Sequence, residues 1–210
     1  GTTGSEKYLE QAEKAAGFMV RHLYSEKEGT YRYYRNGNKH LPGLLADNVL
    51  FGSALIDLYN ATGDRKYIDT ARDVARLLAG KFYDGQKGLF RTSLETLQIR
   101  PSEPGALMEY NSAVSNLRAV VFLLRVSGYQ EDAKLKELAD SVISRTKEDC
   151  EKIGPAAGFC GTALEWRLLE PLEILVITAD GPQRFLSEVN RTYIPRKVVR
   201  VLSLKKDEAA

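Results

Sequence analysis

The sequence predicts a mainly α-helical protein, in which about three helical hairpins form half of a six-hairpin α/α toroid. One observation is an internal repeat, because Gly29-Thr30-Tyr31-Arg32 is followed 59 positions later by Gly88-Leu89-Phe90-Arg91. Asn48 is likewise followed by Asn111 after 63 positions. A second observation is that broad apolar helices with small residues alternate with charged helices that carry one apolar stripe. An inner ring of the first kind inside an outer ring of the second explains this alternation.

Six helices are predicted from apolar residues at helical spacing, bounded by capping and breaking residues. They cover residues 5–24, 44–62, 64–82, 108–128, 130–152 and 159–169. Ser5 and Asp64 are expected N-caps, and Gly63 is an expected C-terminal stop. Short β-hairpins are predicted at 28–40 and 83–100, because Asn36-Gly37 and Asp84-Gly85 are turn signals.

The last forty or so residues change character and predict a small β-α-β unit. Two β-rich apolar runs, at 172–178 and 197–203, flank a short predicted helix at 183–192. A helix between two strands favours parallel pairing. The unit lacks a glycine-rich phosphate loop, so we interpret it as a cap rather than a nucleotide site. We therefore expect toroid hairpins over 5–170 and a cap at 171–204, packed on the same domain.

Composition argues against several classes of partner. Thirty basic and 28 acidic residues give a net charge of +2, and their even mixing indicates no nucleic-acid partner. No apolar run reaches the roughly 18–20 residues of a membrane span, and no signal peptide opens the chain. We expect no membrane association and a cytoplasmic location. The chain starts with Gly1 rather than methionine, and we expect it to be part of a longer protein.

The cysteines and histidines predict neither a metal site nor a cofactor. Cys150 and Cys160 lie ten residues apart without a CxxC motif, and we expect free thiols in a reducing compartment. His22 and His40 are too few for a histidine-rich metal site. Neither is placed for proton transfer in a sugar epimerase, and both are predicted to be surface side chains.

The candidate site lies where the predicted inner helices begin, because these entrances line one end of the cavity in an α/α toroid. Asp47 and Glu109 form the candidate catalytic pair, since a glycosidase needs two carboxyl groups. Carboxylates, amides and aromatic faces are the groups that recognise sugars. The candidate ligand-binding residues are Arg32, Tyr34, Asn48, Arg91, Tyr110, Asn111, Glu165 and Trp166.

Each candidate also has a structural interpretation. Asp47 and Glu109 are first-turn acids that the helix dipole favours, which lowers a carboxyl pKa and opposes a role as general acid. Asn48 and Asn111 are equally suited to tie a helix entrance to the preceding loop. Trp166 is a typical core residue as well as a sugar platform.

These motifs together resemble a known family. In order they are Gly29-Thr30-Tyr31-Arg32 with Arg35-Asn36-Gly37, Leu45-Ala46-Asp47-Asn48, Leu58-Tyr59-Asn60-Ala61-Thr62-Gly63-Asp64, Phe82-Tyr83-Asp84 with Gly88-Leu89-Phe90, Asn111-Ser112-Ala113 with Asn116-Leu117, and the closing strands. Over residues 8–204 the chain resembles the C-terminal region of the spermatogenesis-associated thioredoxin-like protein family. The resemblance implies a toroid similar to N-acylglucosamine 2-epimerases and six-hairpin glycosidases, with a thioredoxin-like domain upstream.

The chain departs from that family at both candidate carboxylates. The family tends to carry a paired Asp-Asp-aromatic where this chain has Ala46-Asp47-Asn48, and Pro-Ser-Gly where it has Met108-Glu109-Tyr110. We therefore favour a sugar- or protein-binding toroid segment without catalysis of its own. Two alternatives stay open: a carbohydrate-active enzyme that uses Asp47 and Glu109, and an assembly module for the thioredoxin-like domain. Half a ring would also leave two apolar edges, which predict self-association or a large exposed groove.

Overall fold

A computed structural model describes residues 6–94 and 105–204, and the side chains from residue 112 onward in the second range. The protein is mainly helical, as the sequence predicts. The helices are α1 Glu6–His22, α2 Leu45–Thr62, α3 Arg65–Leu77, α4 Gly105–Tyr129, α5 Ala133–Lys152, α6 Ala157–Leu168 and α7 Gln183–Arg191. The strands are β1 Tyr24–Ser25, β2 Gly29–Arg35, β3 Asn38–Pro42, β4 Tyr83–Asp84, β5 Leu89–Phe90, β6 Leu172–Thr178 and β7 Lys197–Ser203.

Most predicted elements are found near their expected positions. A π-helical turn, Leu78–Phe82, continues α3 to the predicted end of the third helix. Asp64 caps α3 by accepting a hydrogen bond from the Lys66 N–H, and Gly63 ends α2 at φ 73°. The hairpins at 29–42 and 83–90 are confirmed. Ser5 and residues 95–104, which include the rest of the predicted 83–100 segment, lie outside the described residues.

The helices α2, α4 and α6 lie side by side and point in the same direction. Three matched contacts advance together along α2 and α4: Gly52 with Phe122, Asp57 with Arg125, and Asn60 with Tyr129. Along α6, the Phe159 ring lies 4.6 Å from the Arg118 guanidinium, and Trp166 shares a cavity wall with Leu124. The α3 helix packs on α2, and α5 packs on α4 and α6.

A glycine sets the spacing between α2 and α4. A Cβ atom at Gly52 would lie 2.4 Å from the Phe122 ring, so a side chain there would collide with the ring. Both helices are apolar on several faces because each is surrounded by protein. The α1 helix differs, since Ala16 is its one buried residue within the described part of the chain.

The C-terminal unit is the predicted strand–helix–strand. Strands β6 and β7 pair in parallel from Leu172 opposite Lys197 to Thr178 opposite Ser203. One face of this sheet packs on α7, with Leu186 between Val176 and Val199. The other face meets the helices, where Val198 packs against Gly128. The cap therefore closes the C-terminal end of α4.

The expectation of free thiols is wrong, because Cys150 and Cys160 form a disulfide. Cys150 lies near the end of α5 and Cys160 near the start of α6, and a 3₁₀ turn at Gly154–Ala156 joins the two helices. That short turn brings the Cα atoms to 6.0 Å, within the range that a disulfide spans. The ten-residue spacing does not reveal this proximity, which depends on how α5 and α6 pack. The cysteines therefore no longer support a reducing compartment.

Among the described helices, none is both long and apolar enough to cross a membrane.

Removing the disulfide with Cys150→Ser and Cys160→Ala should lower the free energy of unfolding by roughly 2–3 kcal/mol, because the unfolded chain gains the entropy of an opened loop. Denaturant unfolding with and without reductant measures this change. The wild-type chain should lose stability in reductant, and the double variant should not respond. Equal wild-type stability in both conditions would contradict the prediction.

Candidate functional site

A buried asparagine ties the first hairpin to α2. Asn48 lies in the first turn of α2 and is 0% exposed. Its Oδ1 accepts a hydrogen bond from the Thr30 N–H at 2.9 Å, and its Nδ2 donates to the Leu44 carbonyl at 2.8 Å. Both ends of the amide are thus engaged within the protein. The side chain thus has the structural role that the sequence left open beside ligand contact.

Asn116 does the same for the second hairpin. Its Oδ1 accepts from the Phe90 N–H at 2.7 Å, and its Nδ2 donates to the Phe90 and Ser112 carbonyls at 3.1 and 3.0 Å. The structural counterpart of Asn48 is therefore Asn116, and the predicted match with Asn111 is wrong. The cause is the length of α4, which begins eleven residues before Asn116, whereas α2 begins three residues before Asn48.

The two hairpins are equivalent in register as well. Thr30 pairs with Tyr24 in the first, and Phe90 pairs with Tyr83 in the second. At Gly29 the backbone has φ 82°, and a Cβ there would lie 2.5 Å from Asn48 Oδ1. Glycine is needed on both counts. A repeat of hairpin, asparagine and helix is therefore present in the structure, but its register matches Gly29 with Leu89, one residue away from the predicted match with Gly88.

Asp47 is next to Asn48 in the sequence and carries a partly buried carboxylate. Its side chain is 22% exposed, and Arg32 Nη1 of β2 lies 4.0 Å from Oδ2. Within the described part of the chain, Oδ2 is buried without a hydrogen-bond donor. Burial raises the pKa of the Asp47 carboxyl, and the Arg32 guanidinium opposes this only in part. The expectation that the helix dipole lowers this pKa is therefore wrong in direction.

The other predicted residues on the hairpins have protein partners. Tyr34 packs against α1, with its ring 5.8 Å from Phe18 and 5.3 Å from His22. Arg91 Nε lies 3.6 Å from Asp84 Oδ2 on the neighbouring strand. Arg32 and Tyr34 alternate with Tyr33 along β2, so they share one face of the strand. Of these side chains, Arg32 is the one that the structure brings to Asp47.

Three predicted residues fall outside the described side chains. Glu109, Tyr110 and Asn111 lie in the N-terminal part of α4, of which the backbone alone is described. The separation of the Asp47 and Glu109 carboxyl groups is therefore not defined, and their pairing stays a prediction.

Glu165 and Trp166 lie at the other end of the parallel helices. Trp166 shares a cavity with Asp57 of α2, which is ten residues beyond Asp47 and so about 15 Å further along the helix. Glu165 accepts a hydrogen bond from Arg196 Nε at 2.9 Å. The sequence predicts the candidate residues at one end of a single cavity, but the structure places them at two separate ends of the helices. Both residues are near the end of α6, which starts at Ala157, rather than near its entrance.

Sequence reasoning missed the residues that surround Trp166. Arg125 on α4, Asn60 on α2 and Lys197 on β7 line the same cavity, whose volume is ≈ 290 Å³. They lie on three elements far apart in sequence, so no local motif joins them. The tryptophan itself was the one available signal.

Comparisons with known proteins identify one relative and no family. No family model matches the chain. The chain is 27% identical over 214 residues to a Caenorhabditis elegans protein called "Uncharacterized protein B0495.5". The alignment covers 96% of this chain and 28% of that protein. The chain thus spans little more than a quarter of the length of this relative.

Metal ligands do not gather in the described residues. No group of three or more His, Cys, Asp or Glu side chains in 6–94 and 112–204 is placed to hold a metal ion.

Asn48→Ala should lower the free energy of unfolding by roughly 1–3 kcal/mol, because it leaves the Thr30 N–H buried without a partner. Asn116→Ala should cost a similar amount. Asn38→Ala is the matched control, since Asn38 is exposed on β3, and it should change stability by no more than about 0.5 kcal/mol. Denaturant unfolding measures all three. If Asn48→Ala lowered the free energy of unfolding as little as the control does, the hydrogen bonds of Asn48 would not stabilise the fold, and the prediction would be contradicted.

Asp47→Asn should raise the melting temperature at pH 7. The folded pKa of Asp47 lies above its unfolded value of 3.8, so the native state binds more protons and loses stability as pH rises through the folded pKa. Asparagine carries no charge and avoids this loss. The gain should shrink as pH falls and disappear near pH 3, where both states are protonated.

Melting curves of the wild type and Asp47→Asn from pH 3 to pH 8 test this. Asp69→Asn is the control, because Asp69 forms an exposed ion pair with Arg72. A variant that is less stable than the wild type at pH 7, and more nearly equal to it at pH 3, would contradict the prediction.

Proposed function

We propose that the chain is a segment of an α/α toroid within a longer protein, and that it binds a sugar-like ligand at Asp47 and Arg32 without catalysis of its own. The observation that carries the binding site is the Asp47 carboxylate, whose side chain is 22% exposed beside the Arg32 guanidinium. A ligand hydroxyl would donate to the part of this carboxylate that solvent reaches. An exposed guanidinium at 4.0 Å would donate in turn to a ligand oxygen.

The arrangement of the helices supports the toroid. Parallel α2, α4 and α6 correspond to inner helices, and α3 and α5 to outer ones, as in stacked helical hairpins. The Caenorhabditis elegans relative is more than three times as long as the aligned part, which leaves room for further hairpins and another domain. The resemblance to the spermatogenesis-associated thioredoxin-like protein family supports the same proposal.

The exposed edges support contact with further protein. At one edge Leu168 of α6 is 72% exposed, and Leu164 is exposed on the same helix. At the other edge, α1 exposes Tyr8 and Phe18. In a toroid these edges adjoin the next hairpins. We propose that the rest of the ring, or a second copy of the chain, covers them, and a thioredoxin-like domain is a further candidate partner.

A carbohydrate-active enzyme is the second candidate function, and one observation favours it. Burial raises the pKa of Asp47, which is the direction that a general acid needs. Glu109 on α4 is the second carboxylate of this proposal. Glycosidases place their two carboxyl groups about 5–5.5 Å apart for retention and about 6.5–9.5 Å apart for inversion.

Sugar titrations followed by NMR test the binding proposal. A panel of mono- and disaccharides is added to the ¹⁵N-labelled chain, and the wild type is compared with Asp47→Asn and the control Asp69→Asn. At least one sugar should shift amide signals around residues 45–48, with affinity about tenfold weaker in Asp47→Asn, because a hydrogen bond to a charged group is lost. No shift with any sugar, or equal affinity in Asp47→Asn, would contradict the site.

Turnover of a glycoside panel by the same proteins separates the two candidates. Asp47→Asn combined with Glu109→Gln should leave turnover at the wild-type level if the segment only binds. A loss of at least about a hundredfold in turnover would instead support the enzyme.

A further inference from the structure

The cavity at Trp166 is lined by both apolar and polar groups. Val121, Ile194, Pro195 and the Trp166 indole are the apolar part of this lining. Asp57, Asn60, Arg125 and Lys197 complete the lining. Three helices and the cap contribute to it, so the folded state holds these groups together.

The polar part of the lining has more hydrogen-bond donors than acceptors. Arg125, whose side chain is 19% exposed, donates to Asp57, and Lys197 Nζ donates to the Val189 carbonyl at 2.9 Å. Each cation retains further N–H groups. Two cations therefore face one carboxylate, and the Asp57 side chain is itself 68% exposed.

Asn60 adds a neutral donor. It is 7% exposed, its Oδ1 accepts from the Tyr129 hydroxyl at 2.6 Å, and its backbone carbonyl accepts from Asn190 Nδ2 at 2.8 Å. The residue lines the cavity, and its Nδ2 group is a donor that a ligand bound there would meet.

We propose that this cavity binds a small organic carboxylate with a flat or cyclic apolar face. The carboxylate oxygens would accept from Lys197, Arg125 and Asn60, and the apolar face would lie on the Trp166 indole. The volume of ≈ 290 Å³ holds about ten non-hydrogen atoms if each takes about the 30 Å³ of a water molecule. The site does not depend on the proposed function, because it lies at the opposite end of α2 from Asp47.

Fluorescence of Trp166 reports on this cavity directly, because it is the one tryptophan of the chain. The full chain is titrated with cyclohexanecarboxylate and, separately, with cyclohexanecarboxamide, a neutral analogue of the same shape. The carboxylate should give a saturable change at Trp166, and the carboxamide should bind at least about tenfold more weakly. No saturable change, or equal binding of the two probes, would overturn the proposal.

A variant that removes the charge of Lys197 tests whether this residue binds the carboxylate. Lys197→Gln should weaken binding of the carboxylate at least about tenfold. Two control variants should leave its affinity unchanged: Asp47→Asn, and Lys152→Gln on the exposed end of α5. Equal affinity in Lys197→Gln would overturn the assignment. Circular dichroism verifies that each variant is folded, and the comparison of the two probes on the wild-type chain needs no variant. Failure of sugar binding at Asp47 would leave this result unaffected.

Discussion

The hydrogen bonds between a buried asparagine and a hairpin backbone are the constraint on which the packing of both hairpins against the helices depends. Asn48 stands on α2 and Asn116 on α4, and each satisfies the amide N–H of a strand residue that packing has removed from water. A hairpin with two-residue strands is not stable by itself. The tie fixes it to the helix, and in the first unit it also fixes Asp47, the residue next to Asn48, beside Arg32.

The two ends of the parallel helices differ in chemistry as a consequence. Hairpins cover the N-terminal end of α2, where a half-buried carboxylate faces one guanidinium. The β6–α7–β7 cap covers the other end, where Arg200 donates to the carbonyls of Gly128 and Tyr129 at the end of α4. The helix dipole favours cations at a helix C-terminus, so Arg200 stabilises the end of α4. The two proposed sites, at Asp47 and at Trp166, lie at opposite ends of α2.

The sequence predicts the elements well because their signals are local. Apolar spacing places α2 and α5, glycine at 63 ends α2, and the closing strands pair in parallel as expected. The site is predicted less well, because its properties depend on packing. The raised pKa of Asp47 follows from burial, which no dipole argument includes. Trp166 is at the far end because α6 begins at Ala157, and the Cys150–Cys160 bond depends on the turn between α5 and α6.

Native-state hydrogen exchange of two amides tests the central claim most directly. The N–H groups of Thr30 and Phe90 donate to buried asparagine oxygens, so they should exchange only through global unfolding. Their free energies of opening should equal the free energy of unfolding measured with denaturant. If both amides exchange at the rate of exposed hairpin amides, as Lys39 should, the asparagine ties do not hold the hairpins and the account is contradicted.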